Sequence, residues 1–334
     1  MKRRRPSLLF LLLLPWTLLS ASCQREAGEE VLFRTWDVPP GSIPTRSLLT
    51  ASDIEMKKTG ITLAAYDGGS LASRGHFTTN LDAMALTLES GKTYTLYALV
   101  NMGDLTGSLP LKESGLKEIT YTIPSYTEGA ESLAARGLPM AGKLTYSGQG
   151  AVIPVQRLLA KVTADLSCTW PGAAIRSVRV CNLNRTLRPF GEAARETEWD
   201  GEEFQQGTGT ASGTFTFYVP ENRQGSIGGI QSAADRSPDH SAEVRARSSR
   251  LTYLETRVEG TGTYQGFITY RSYLGQDAAS DFNILRNAHY RWTIRFLPDG
   301  LQYDDWKHEN GLIDIRTGLS ITDGWDDGGE SELN

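Results

Sequence analysis

The sequence predicts an all-β protein of two antiparallel β-sandwiches, and three observations carry that prediction. Apolar and polar residues alternate strictly in many short runs, which is the signature of a half-buried strand. Glycine, proline, asparagine and aspartate punctuate the gaps between the runs, as turns require. No segment keeps a helical period long enough for a long helix. About a dozen such runs spread over 334 residues exceed the roughly seven strands of one sandwich, so the chain is expected to build two.

The first element in order is a signal peptide over residues 1–22. Lys2, Arg3, Arg4 and Arg5 form its basic start, Leu8 to Leu14 and Trp16 to Leu19 its apolar run, and Ser20, Ala21 and Ser22 its small-residue end. That run is too short to span a bilayer. Cys23 follows, and the order Leu-Ser-Ala-Ser-Cys resembles a bacterial lipobox, with the leucine four residues before the cysteine where the pattern has three. The resemblance implies that the Cys23 thiol is acylated and anchors the chain in a membrane. Glu26, Glu29 and Glu30 resemble the acidic tether of Bacteroidia lipoproteins on the outer face of the outer membrane. Residues 23–46 then form a lipidated leader.

The first sandwich is expected over 47–150, with strands Ile61 to Tyr66, Met84 to Leu88, Tyr94 to Val100 and Ile119 to Ile123. The second is expected over 151–300, with Val152 to Val155, Lys161 to Ser167, Ile175 to Val180, Thr214 to Val219, Leu251 to Val258, Phe267 to Leu274 and Tyr290 to Phe296. In the last of these Tyr290, Trp292, Ile294 and Phe296 share one face and Arg291, Thr293 and Arg295 the other. Glu128 to Arg136 and Gln276 to Ile284 can each hold a short helix, and Gln224 to Ser249 reads as a polar, mobile loop. Residues 301–334 form a C-terminal extension.

Charge and motif chemistry exclude several functions. Loss of the four N-terminal cations with the signal takes the net charge from −5 to −9, which excludes nucleic acid as the main partner. His76, His240, His289 and His308 lack zinc-ligand spacing, so no metal is expected. The glycine-rich runs Gly207 to Gly213 and Gly260 to Gly266 precede strands and read as turns, with no helix N-terminus to hold a phosphate. Cys168 and Cys181 lie in predicted strands without a nearby histidine, which makes them poor nucleophiles. They either form a disulfide across a crossover connection or remain two buried thiols. The run from Asp323 to Glu330 departs from calcium-loop spacing and reads as a solvated acidic tail. No cofactor and no enzymatic activity are expected.

Several runs resemble, in order, the fimbrillin-like lipoproteins of Bacteroidia. They are Tyr97-Ala-Leu-Val-Asn-Met-Gly-Asp104, Leu138-Pro-Met-Ala-Gly142, Arg157-Leu-Leu-Ala-Lys161, Phe217-Tyr-Val-Pro-Glu-Asn222 with Gly225, Tyr273-Leu-Gly275 with Asp281-Phe-Asn283, and Arg286-Asn-Ala-His-Tyr290. The resemblance implies two transthyretin-like antiparallel β-sandwich domains. It also implies lipoprotein export, a place at the cell surface, and assembly into pili by strand exchange with other pilus subunits or a second copy. An alternative is a non-polymerising surface lipoprotein that binds a glycan or a host protein. Stalk, anchor and tip roles stay open.

In the stalk members of that family an arginine-directed protease removes the leader together with its first strand. Here Val31 to Val38 has strand composition, Arg46 lies in the extended run Ile43 to Leu48, and Arg34 lies inside the strand. Arg46 is therefore the first candidate for processing and Arg34 the second. Near the C-terminus Ile313, Ile315, Leu319 and Ile321 fall on one face of a run of about 30 Å if extended. That run is either a donor strand for another subunit or the last strand of the second sandwich. Read for fold alone, Asn101 and Asn287 suit left-handed turns, and Arg157 and Lys161 are expected to face solvent together.

Overall fold

The structure is a computed structural model and describes residues 29–37, 53–125, 130–148, 151–192, 204–230, 233–238, 240–261 and 266–297, with short pieces at 308–309, 313–314 and 320–323. Its regular structure is mostly strand, with only short helices. A seven-stranded sheet runs Ser70–Phe77, Ile61–Asp67, Tyr94–Val100, Met140–Tyr146, Ala151–Arg157, Glu29–Asp37, Met84–Leu88. Every neighbouring pair is antiparallel except Glu29–Asp37 with Ala151–Arg157, which run parallel.

Alternation explains how this sheet buries both faces. Ile61, Leu63 and Ala65 meet Leu86, Leu88, Leu96, Ala98, Ile153 and Val155 in one apolar core. The intervening Ala64, Tyr66, Tyr97 and Leu99 point the other way and join a larger core that continues into the rest of the chain. Short 3-10 turns at Thr106–Ser108 and Glu113–Glu118 place Leu109 and Leu116 over that second face.

Two five-stranded sheets follow. One runs Phe204–Gln206, Ala174–Cys181, Tyr253–Gly260, Gly266–Tyr273, His308–Glu309. The other runs Ser212–Pro220, Leu159–Cys168, Ala288–Phe296, with Ile313–Asp314 and Ser320–Asp323 both on the outer side of Ala288–Phe296. Val162, Ala164, Phe215, Phe217, Trp292 and Ile294 of the second face Ile175, Val178, Leu254, Val258 and Tyr270 of the first, the face-to-face packing of a sandwich.

Four expectations change. Ala151–Arg157 hydrogen-bonds to Met140–Tyr146 and to Glu29–Asp37 in the first sheet, so the chain passes into the next sheet at Leu158, beyond the expected start at 151. Gln224 to Ser249 is built into the fold, with a strand at Asn222–Ser226, a 3-10 turn at Ala233–Arg236, a helix at Ala242–Arg247 and fully buried Arg236 and Val244. Asp281–Ile284 is a strand against Asn222–Ser226, where a helix was expected. Two strands without clean alternation, Ser70–Phe77 and Met140–Tyr146, escape the pattern. Cys168 and Cys181 are both free thiols, Cys181 buried and Cys168 half-buried, and they lie in different sheets.

Candidate assembly site

Glu29–Asp37, within the stretch expected to be the leader and called the leader strand below, contributes a strand to the first sheet. Glu29 to Phe33 pairs antiparallel with Leu88 to Met84, and Phe33 to Asp37 pairs parallel with Ala151 to Val155. Among the described residues Met84–Leu88 has no other hydrogen-bonded neighbour. The leader strand is therefore the sole ladder between Met84–Leu88 and the body of the sheet. Without it, two rows of backbone donors and acceptors would border a slot over the buried side chains Met84, Leu86, Ile153 and Val155.

One wall of that slot depends on a glycine. A Cβ on Gly142 would lie 1.8 Å from the Pro154 carbonyl oxygen, so only glycine lets Met140–Tyr146 approach Ala151–Arg157. Of the predicted site residues, Arg34 lies within the leader strand opposite Val152. Ile313 pairs with Phe296 and Ile321 with Tyr290 on the edge of the last sheet. Cys23, Arg46, Ile315 and Leu319 lie outside the described residues.

The motif residues converge at the junction between the first sheet and the later ones. Glu55, on the short helix Asp53–Met56, is buried; its carboxylate accepts from Tyr218 Oη at 2.7 Å and pairs with Lys161 Nζ at 3.1 Å. An Arg157 Nη2 donates to the Glu55 carbonyl at 3.2 Å. Arg157 and Lys161 thus grip one residue from two different sheets, which corrects the expectation that both face solvent. Glu221 is also buried, and it accepts from Arg223 Nε at 2.9 Å and Arg286 Nε at 2.8 Å. Arg286 further donates to the carbonyls of Arg188, Pro189 and Gly191.

Asn101 (φ 62°) and Asn287 (φ 59°) adopt the left-handed geometry expected of them. The Asn101 amide donates to the Lys57 and Leu138 carbonyls at 2.8 Å each, and the Asn287 N–H donates to the Leu159 carbonyl at 3.0 Å.

Arg236 is the residue that the pattern missed. Its guanidinium, fully buried, donates to five backbone carbonyls, those of Tyr273, Leu274, Asp277, Ala279 and Asp281, at 2.6 to 3.1 Å, and lies 4.0 Å from the Phe282 ring centroid. Burial lowers its pKa to about 10, leaving it charged at neutral pH. A Cβ on Gly275 would sit 1.9 Å from the Asp281 carbonyl oxygen. Tyr273-Leu-Gly275 and Asp281-Phe-Asn283 are therefore the walls of the Arg236 cage, and a sequence signal for it would be an arginine inside an otherwise loop-like run.

A groove of about 1160 Å³ opens beside Glu221 and Arg286, between the first sheet and the 189–192 loop. Tyr97 and Phe190 form its aromatic floor, with ring centroids 4.9 Å apart at 77°. The Tyr97 hydroxyl donates to Glu113 Oε1 at 2.6 Å, and burial raises its pKa. Among the described residues no group of histidine, cysteine, aspartate or glutamate side chains is arranged to hold a metal ion.

Comparison with known proteins agrees with this architecture. A model of a domain of unknown function, DUF4906, matches residues 217–294, the stretch containing Glu221, Arg236 and Arg286. No curated protein matches the chain. Among solved structures, a candidate cell adhesion protein from Bacteroides eggerthii aligns with a TM-score of 0.56 at 14% identity, covering 89% of this chain and 96% of that one. The tip fimbrial protein Mfa3 from Porphyromonas gingivalis aligns with a TM-score of 0.55 at 13% identity, covering 88% and 100%. The fimbrilin FimA from Porphyromonas gingivalis aligns with a TM-score of 0.51 at 15% identity, covering 85% and 93%. With the sheet order in place, the fold of this chain is the one shared by these fimbrial and cell adhesion proteins.

Proposed function

We propose that the chain is a structural or adhesive subunit of a bacterial surface pilus, exported as a lipoprotein through Cys23 and assembled by strand exchange. The observation that supports this reading most is the place of Glu29–Asp37. It precedes Arg46, among the described residues it alone ladders Met84–Leu88 to the sheet, and a single cut after Arg46 would sever its covalent link to the rest of the chain, leaving it held by its ladders and open to exchange. A strand supplied by another subunit would restore both ladders, backbone hydrogen bonds supplying affinity and alternate side chains specificity. The run Ile313 to Ile321 suits that part. Among the described residues its pieces at 313–314 and 320–323 pair with the outer edge of Ala288–Phe296 and with no other strand, so their departure would leave the interior pairing of that sheet intact.

The test is a comparison, in a pilus-forming host, of the native chain, Arg46→Ala and a chain ending at Asn310. Strand exchange predicts heat-resistant ladders on a denaturing gel for the native chain, with surface-released material starting at Ser47, and no ladders for either variant. Polymer starting at Cys23 rejects cleavage. Absence of ladders from the native chain points instead to a non-polymerising surface binder, and misfolding of the shortened chain assigns the C-terminal strand to its own sheet.

A further inference from the structure

The mature chain is acidic, yet the groove beside Arg286 is not. Lys112, Lys117, Lys143, Arg223 and Arg286 line it against Glu113 and Glu192. Glu221 is shared between the two arginines. Lys112 donates to the Ser70 hydroxyl at 2.9 Å, and none of the three lysines has an ion-pair partner among the described residues. All three are exposed and stand around an aromatic and aliphatic floor of Tyr97, Leu116 and Phe190. Such a site suits an extended anionic peptide carrying one large apolar side chain.

The chain itself carries such a segment, and the register leads it there. Ser320–Asp323 runs antiparallel to Ala288–Phe296, from Ser320 opposite Arg291 to Asp323 opposite Ala288. Its direction is thus toward Arg286, two residues before Ala288, which lines the groove. Residues 324–334 follow, with Trp325, Asp326, Asp327, Glu330 and Glu332. Eleven residues reach about 36 Å when extended, ample to cross the groove. We propose that this acidic tail occupies the groove of its own chain. Trp325 packs on the Phe190 and Tyr97 floor while the carboxylates pair with Lys117, Lys143 and Lys112. Tethering holds the tail at an effective concentration on the order of millimolar, so modest contacts suffice. Departure of the C-terminal strand from Ala288–Phe296 would withdraw the tail and expose the groove, which links the two events, although occupancy itself does not depend on polymerisation.

The test uses the full mature chain. Zero-length carbodiimide coupling should join Lys112, Lys117 or Lys143 to Asp326, Asp327, Glu330 or Glu332, and mixing heavy- and light-isotope protein should give only same-isotope products. A labelled peptide of sequence 323–334 should bind a chain ending at Asp323 at least about tenfold more tightly than the full chain, where the tethered tail competes. That binding should weaken as salt rises. A full chain with Asp326→Asn, Asp327→Asn, Glu330→Gln and Glu332→Gln, all outside the described fold, should bind the peptide like the shortened chain. No peptide binding to the shortened chain overturns the proposal. So do mixed-isotope cross-links, which would place the tail in a second copy, and equal binding to full and shortened chains.

Discussion

The Tyr218 hydroxyl donates a 2.7 Å hydrogen bond to the buried carboxylate of Glu55, across 163 residues of sequence, while Lys161 holds the same oxygen at 3.1 Å. This contact ties the short helix Asp53–Met56, which precedes Ile61–Asp67 of the first sheet, to adjacent strands of a later sheet, because Tyr218 and Lys161 are register partners. Replacing Glu55 with glutamine keeps a hydrogen-bond acceptor and removes the charge facing Lys161. The expected loss is about 2 kcal/mol, between a neutral hydrogen bond and a fully broken buried pair. Urea unfolding of Glu55→Gln against the native chain measures it, and an unchanged midpoint would show that the ion pair adds nothing.

Arg236 should be the most sensitive position in the region that reads as a loop. Arg236→Met fills similar volume but leaves five carbonyls without their donor, at an expected cost of about 3 kcal/mol or more. Hydrogen exchange should rise first in 233–247 and 277–284, ahead of the sheet interior. Uniform exchange across the chain would contradict a local cage.

Gly142→Ala should weaken the sheet where the leader strand docks. The added Cβ cannot coexist with the Pro154 carbonyl at 1.8 Å, so the ladder from Met140 to Gly142 must open. Backbone displacement of this kind costs about 1 to 3 kcal/mol. Thermal melts should show the loss in mature protein that retains its leader.

Alkaline pH should destabilise the fold over a defined window. Burial raises the Tyr66 and Tyr290 pKa values from 10.0 to about 12 and that of Cys168 from 9.0 to about 12. For each group the folded state holds its proton longer than the unfolded state, so the stabilisation is complete below pH 9 and is lost as pH rises to about 12. Arg236, lowered from 12.5 to about 10, acts in the opposite sense between those values, but it is one group against several. Near-ultraviolet circular dichroism should therefore collapse above pH 10 together with a late rise in tyrosinate absorbance. At pH 8 neither Cys168 nor Cys181 should react with a thiol reagent until the chain unfolds; fast labelling would overturn the burial argument.

Cys23→Ala should move the protein from the membrane to the soluble fraction. Stable anchoring needs more than one acyl chain, and the lipobox-like run offers Cys23 as the attachment point. Unchanged fractionation would remove the lipid assignment.

The fold class was legible before any pairing was known, because alternation is a local property that strands such as Thr214 to Val219 and Ala288–Phe296 carry within their own residues. So were the left-handed turns at Asn101 and Asn287, where a short polar side chain tolerates positive φ. Pairing is not local. That Glu29–Asp37 lies beside Ala151–Arg157 in the first sheet depends on hydrogen bonds between residues more than a hundred positions apart. Arg236 read as a loop residue because nothing nearby in sequence satisfies a buried guanidinium; its five carbonyl partners come from 273–281 and meet it only in the folded chain. The motif residues Lys161, Tyr218, Glu221 and Arg286 were visible in sequence as a family resemblance, but only tertiary structure brought Glu55 to two of them and Glu221 to Arg286, since a buried carboxylate must find its cations wherever the sheets place them.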